Sequence, residues 1–312
     1  MKDNGQRTSV QLKHLILEVT HIAKQTFPKS IEVISELPSE LWAVSGDGTQ
    51  LHQVLMNLVV NARDAMPDGG LLRLKAQNIH IDDYYARMNL EAQVGNYILL
   101  TVADSGTGIE SEVLERIFEP FFTTKELGKG TGLGLSTVIG IVKSHGGFVN
   151  VYSELGKGTE FKVYLPAVDV AETSLLAEVE ILVGSGDLIL IVDDEVAIRE
   201  ITKTSLETYN YQVLTASDGV EALSLYVQYQ EQIKVVLLDI MMPVMDGIDT
   251  ISTLQQLNPQ VKIIAISGLM SNEKIAEATG NGVQAFLPKP CTAKELLSAI
   301  DATIKTDYVD CL

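Results

Sequence analysis

The sequence is poor in cysteine and short of positive charge. Two cysteines, Cys291 and Cys311, occur in 312 residues, too few and too far from other ligand types for a disulfide framework or a zinc site. Both read as plain thiols. Lysine and arginine number 23 against 41 aspartates and glutamates, and the net charge of −18 argues against general binding to nucleic acid phosphates, which needs a basic surface. No run of about 18 uncharged apolar residues offers a membrane span. The opening MKDNGQRTSV has no apolar core after its charges, so no signal peptide is expected and the expected location is cytoplasmic. The GxxxxGK[ST] spacing of the P-loop is also missing, which excludes that mode of phosphate binding. Internal repeats and low-complexity tracts are lacking too.

What is present suffices for two domains of ordinary size. Up to residue 166, helical and strand signals alternate. Helix periodicity runs through SVQLKHLILEVTHIAKQTF, and strands are expected at SIEVISEL and LWAVSG. A helix is expected from Asp47, its cap, through Met66. GGLLRLKAQN and NYILLTVAD read as strands joined by a polar excursion around residues 79 to 95. A glycine-rich loop from Ser105 to about Leu133 leads into the helix LGLSTVIGIVKSHG, and the strands GFVNVYSEL and TEFKVYLP follow, the last closed by Pro166. Residues 169 to 186 read as a linker with room for a short helix. From Asp187, five short apolar runs (DLILIVDDE, YQVLTAS, KVVLLDI, VKIIAISG and VQAFLPKP) alternate with helix-length segments, as strands buried on both faces of a parallel sheet do. From Asp187 onward 18 acidic and 8 basic residues give a charge of −10, which is consistent with a carboxylate site for a divalent cation.

Several residues of the first part could carry chemistry. NLVVNARDAM puts Asn57 and Asn61 on one helix face, where amide oxygens suit magnesium neutralised mainly by a polyphosphate; a polar helix face with capping bonds has the same letters. Asp104 follows an apolar strand, and Gly106 and Gly108 after it let the backbone approach a flat ring, or simply make a turn. RIFEPFFTTKELGKGTGLG combines an apolar hinge, Lys125, Lys129 and the glycines Gly130, Gly132 and Gly134 at the mouth of a helix. That is the make-up of a lid whose amides and cations meet phosphates.

Together these stretches resemble the ATP-binding catalytic domain of sensor histidine kinases, whose fold is shared with DNA gyrase. NLVVNARDAM is similar to the N box, DSGTGI to the G1 box, IFEPFFTTK to the F box, GKGTGLGLS to the G2 box and GKGTEF to a terminal glycine box, in family order across residues 10 to 166. The resemblance implies an α/β sandwich of the GHKL (Bergerat) type over residues 1 to 168, with an ATP lid at about 105 to 133. It implies that Asn61 holds magnesium with Asn57 in support, and that Asp104 binds the adenine amino group beside Gly106 and Gly108. Lys125, Lys129 and the backbone from Gly130 through Gly132, Leu133, Gly134 and Leu135 would hold the phosphates, and Thr159 would line the adenine side.

A second set sits at strand ends: Asp193 and Asp194, Asp239, Ser267, and Lys289 before Pro290. Carboxylates converging at the carboxyl ends of parallel strands can hold magnesium, and a lysine there can hold an anion against it. Singly, such acids are usually caps or loop residues. The set in this order resembles the receiver domain of response regulators, with LLDIMMPVMDG the nearest match. That implies a flavodoxin-like, doubly wound, five-stranded parallel sheet of order 2-1-3-4-5 over residues 187 to 306, with a tail at 307 to 312. Asp239 would be the phosphoacceptor. Asp193, Asp194, Asp239 and the Met241 carbonyl would hold magnesium, Ser267 and Lys289 the phosphoryl oxygens, and Phe286 would be the switching aromatic or simply a core phenylalanine.

The family's phosphoacceptor histidine is not found. His14, His21, His52, His80 and His145 all lack the acidic residue and downstream asparagine of an H box, and the helix hairpin that carries it should precede residue 10. The expected function is two-component phosphorelay signalling, by a histidine kinase catalytic module that uses Mg-ATP and needs a histidine-bearing dimerisation or phosphotransfer partner. Dimerisation stays open. The alternatives are a phosphorylation-controlled interaction module with little kinase activity, and an ATPase of the wider fold family. No acidic residue stands at the position before Asn57 where such ATPases place their base.

Overall fold

The computed structural model describes residues 8–125, 131–168, 183–242, 245–267 and 282–305. Lys129, Gly130, the linker helix and the tail fall outside the described residues. The chain divides into two compact units: Met1–Ile81 with Glu91–Leu176, and Asp82–Leu90 with Ala177–Leu312.

The first unit is a mixed sheet with helices on one face. Its strands are β1 (Thr8–Val10), β2 (Ile31–Glu36), β3 (Ala43–Gly46), β4 (Gly70–Ile81), β5 (Gly95–Asp104), β6 (Phe148–Glu154) and β7 (Gly158–Val168). They run in the order β1-β3-β7-β5-β4-β2, with β6 also paired to β7. β2 and β4 are parallel, while β5 pairs with β4 and β7 antiparallel. The long helices are α1 (Leu12–Thr26), α2 (Gly48–Asp64) and α5 (Gly134–Ser144). Their apolar stripes supply Leu12, Ile16, Leu51, Leu55, Leu58, Val138 and Val142 to one core with Leu72, Leu74, Leu100, Val102 and Val163 of the sheet. A helix packed on a sheet buries one stripe and leaves the opposite one free for chemistry.

Asp47 caps α2 as expected, its Oδ1 accepting from the Thr49 (2.8 Å) and Gln50 (3.3 Å) amides. Three local expectations need correction. β7 does not close at Pro166 but runs to Val168: Pro166 lies opposite Tyr97 and the next two residues pair with β3, so the proline stands where the strand changes partner and its missing N–H breaks little of the ladder. The excursion after β4 contains a helix, α3 (Asp83–Met88), capped by the Asp82 side chain. The loop after β5 includes the short helix α4 (Ser111–Leu114).

The second unit has a parallel sheet of β8 (Leu188–Val192), β9 (Gln212–Ala216), β10 (Ile233–Asp239), β11 (Ile263–Ser267) and β12 (Ala285–Pro288). Its order is β12-β11-β10-β8-β9 with every pair parallel, which is 2-1-3-4-5 when counted within the unit. Around it lie α6 (Val196–Thr208), α7 (Gly219–Tyr229), α8 (Gly247–Leu257) and α9 (Ala293–Lys305). Two apolar clusters, one on Leu190, Val236 and Leu238 and one on Ile189, Val235 and Leu237, flank the sheet. Successive residues of one strand serve opposite faces, which is why these strands read as unbroken apolar runs. Within this unit Tyr84 of α3 is buried, its hydroxyl 3.0 Å from the Thr202 hydroxyl, and Asp82 Oδ2 accepts from the Ala293 amide at 2.8 Å.

Candidate functional site

A cavity of about 750 Å³ opens in the first unit between α2 and the loops that follow β5. Its lining includes Asn57, Asn61, Asp104, Gly108, Lys125, Gly132, Gly134, Leu135 and Thr159. The helix repeat that buries Leu51, Leu55 and Leu58 turns Asn57 and Asn61 toward this space. Gly106 and Leu133, expected to contact nucleotide directly, are not part of the lining.

Asp104 ends β5, opposite Thr159 on β7. Its Oδ1 accepts from the Gly106 amide at 2.9 Å. Burial pushes its carboxyl above the usual range, against the pull of the Gly106 and Thr159 backbone amides. Thr159 is buried and its hydroxyl lies 2.8 Å from that of Ser153, which also accepts from the Ile109 amide at 2.8 Å. The glycines here are needed for close approach. A Cβ on Gly106 would meet the Ala65 carbonyl at 2.4 Å, and one on Gly108, at φ 68°, would meet the Glu154 carbonyl at 1.9 Å. Gly106 thus acts by packing the loop against the end of α2.

At the other end, Asn57 Nδ2 donates to the Gly134 carbonyl at 3.2 Å, tying α2 to the start of α5. Gly132 has φ 66°, and a Cβ there would strike the Phe121 backbone at 2.3 Å. The Phe121 amide donates to the Gly132 carbonyl at 2.9 Å, so these two backbone segments are held together beside the cavity. Lys125 Nζ sits 2.6 Å from Asp64 Oδ2. Sequence reasoning missed Arg63 and Asp64, and also the apolar wall of Ile109, Val113, Ile117 and Phe161. Their signal was a charged pair two and three residues after Asn61 and, for Ile109, Val113 and Ile117, an i, i+4 apolar spacing inside a stretch expected to be loop.

In the second unit the carboxylates of Asp193, Asp194 and Asp239 gather with oxygens within 4.8 Å of one another. Asp193 and Asp239 are 4% and 5% exposed, and Asp194 is more open. Lys289 Nζ reaches Asp193 Oδ2 at 2.5 Å and Asp239 Oδ2 at 2.6 Å. Burial alone would lower the Lys289 ammonium, but the charges of Asp239 and Asp193 outweigh it and hold the group above its ordinary value. Burial pushes the Asp193 carboxyl up, against the pull of Lys289. The Met241 amide donates to Asp239 Oδ1 at 3.0 Å, and the Lys289 amide to the Ser267 carbonyl at 3.0 Å. Arg199, not singled out in the sequence, donates to the Asp193 and Asp194 carbonyls. Phe286 is half-buried in β12 against the core. The three carboxylates gathered beside Lys289 fit magnesium, a hard ion that takes carboxylate and carbonyl oxygens.

Comparison with known proteins finds a family match in each of the two units. Residues 46–169 match the family described as histidine kinase-, DNA gyrase B-, and HSP90-like ATPase, and residues 189–301 match the response regulator receiver domain. The chain therefore carries a histidine-kinase-type ATPase domain followed by a receiver domain, a combination that indicates two-component phosphorelay signalling. It is 38% identical over 301 residues to "Sensor kinase CckA" of Brucella abortus (strain 2308), covering 93% of this chain and 32% of that protein. "Sensor histidine kinase TmoS" of Ectopseudomonas mendocina is 29% identical, covering 88% of this chain and 30% of that one. "Sporulation kinase A" of Bacillus subtilis (strain 168) is 37% identical, covering 53% and 25%. The chain thus spans about a third or less of the length of these relatives. Among the described residues no helix is long and apolar enough to cross a membrane.

Proposed function

We propose that this chain is the catalytic and receiver portion of a cytoplasmic hybrid histidine kinase, which binds Mg-ATP as donor for a histidine on a partner domain or protein and accepts a phosphoryl group on Asp239. Residues 1 to 168 form the catalytic domain in this reading, 169 to 186 the linker, 187 to 306 the receiver and 307 to 312 the tail. Asp104 accepts from the adenine amine, Thr159 closes that side, and the Asn61 amide oxygen holds magnesium with Asn57 positioning the lid. Lys125, Lys129 and the amides from Gly130 to Leu135 hold the phosphates.

In the receiver, the Asp239 carboxylate attacks phosphorus in line while the donor's bond to phosphorus breaks, and Lys289 and Ser267 hold the transferred oxygens. A carboxylate nucleophile, unlike a hydroxyl, calls for no separate general base. Magnesium, held by Asp193, Asp194, Asp239 and the Met241 carbonyl, would neutralise charge on the phosphoryl group.

The observation that carries the reading is the Lys289 ammonium set between Asp193 and Asp239 in the same chain as a cavity walled by Asn61 and Asp104. The test is incubation with γ-labelled ATP, alone and with histidine-hairpin proteins, followed by acid and base treatment. Acid-labile label on the hairpin and base-labile label on Asp239 are expected. Steady release of phosphate with no histidine protein present would instead make the chain an ATPase.

A further inference from the structure

Lys125 is already engaged on the wall of the cavity. Its Nζ lies 2.6 Å from Asp64 Oδ2, while Arg63 Nε and Nη2 donate to Asp64 Oδ1 at 2.9 and 2.7 Å. Arg63, Asp64 and Lys125 all line the space into which a polyphosphate would fit. Asp64 is the last residue of α2, in the turn after Asn61, and Lys125 stands in the loops that follow β5. A carboxylate cannot ligate phosphate and repels it, so Asp64 makes no sense as a phosphate contact. What it does supply is negative charge for two cations that a triphosphate would otherwise neutralise. Burial pushes the Asp64 carboxyl up, but hydrogen bonds from Lys125 and Arg63 bring it below its usual value, so the group is ionised at neutral pH. The pair is also easy to break. Its side chains are 36% and 27% exposed, and an ion pair that open to solvent is worth only about 0.2–1 kcal/mol.

We propose that Asp64 is a positioning residue that stands in for phosphate, holding Lys125 against α2 without nucleotide and releasing it to the triphosphate when Mg-ATP binds. This rests on the nucleotide reading of the cavity. The exchange is non-covalent, one acceptor of the lysine N–H groups replacing another. Competition by Asp64 lowers affinity for the triphosphate and leaves the nucleoside part of the ligand untouched.

The test is calorimetric titration of the whole chain with Mg-ATP and with adenosine, for the unaltered protein, Asp64→Asn, Lys125→Ala and the double variant. Asp64→Asn should tighten Mg-ATP binding about 1.4- to 5-fold, the range set by an exposed ion pair, and leave adenosine binding unchanged. In the Lys125→Ala background the same change should tighten binding clearly less, leaving only the share that comes from Arg63 and from relieved repulsion. Unchanged or weaker Mg-ATP binding in Asp64→Asn overturns the exchange, as does equal tightening with and without Lys125. Adenosine separates the two levels of the claim. Binding of adenosine and ATP with no effect of Asp64→Asn defeats the exchange alone, whereas an unaltered protein that binds neither defeats the nucleotide reading.

Discussion

Asp104 carries opposite demands for folding and for binding. Its burial raises the carboxyl pKa, so the folded chain holds this proton more tightly than the unfolded chain. The resulting stability is full below the ordinary aspartate range and is lost as pH rises through the raised value. At neutral pH the ionised carboxylate therefore costs stability, while an adenine amine needs it as an acceptor. Asp104→Asn should raise the unfolding temperature at neutral pH, with the gain shrinking as pH falls, and should weaken Mg-ATP binding about 10- to 100-fold, as expected for a charged buried hydrogen bond. Thermal melts across pH and titration with Mg-ATP check both; a variant that binds ATP normally removes Asp104 from the adenine role. Asp104 and Asp239 were legible in the sequence because each directly ends a long apolar strand, which fixes where the side chain emerges. Asp64 was not, because its meaning comes from Lys125, which is 61 positions away.

Among elements, the long helices were legible from their 3.6-residue repeats and from Asp47, and the receiver strands from unbroken apolar runs. β1 has only three residues, and α3 only six, too short for a period to show. His145 also acquires its role only through folding. It is buried at the C-terminal end of α5, its Nδ1 donating to the Ile141 carbonyl at 2.8 Å and its Nε2 accepting from the Asp47 amide at 3.1 Å. The ring thereby joins the end of α5 to the start of α2, the two helices that flank the cavity. His145→Ala leaves the half-buried Asp47 amide unpaired and should destabilise the first unit by ~1–3 kcal/mol. Denaturant unfolding followed by Trp42, which belongs to that unit, measures this. A midpoint unchanged from the parent would show that the histidine is not a strut.

For the whole molecule, the order of the two domains was legible because each carries its motifs in sequence. The assignment of Asp82–Leu90 to the second unit was not, since nothing local in that stretch says which core takes Tyr84. The first unit has its own sheet and core and holds every described residue of the cavity proposed for nucleotide. The second likewise holds the whole carboxylate cluster and Lys289. Two sites, each complete within its own unit, should fail separately. Acetyl phosphate should label Asp239 in the Asn61→Ala protein as in the parent, and chelation of magnesium should stop the labelling in both. Asp239→Asn should bind Mg-ATP normally and take no label. These outcomes are read by phosphoprotein gel and by titration. Loss of acetyl phosphate labelling in Asn61→Ala would mean that the receiver chemistry needs the nucleotide site. The Lys289 contacts to Asp193 and Asp239 argue against that, because the acceptor, the other two acids and the cation that balances them are all supplied by strand ends of one sheet.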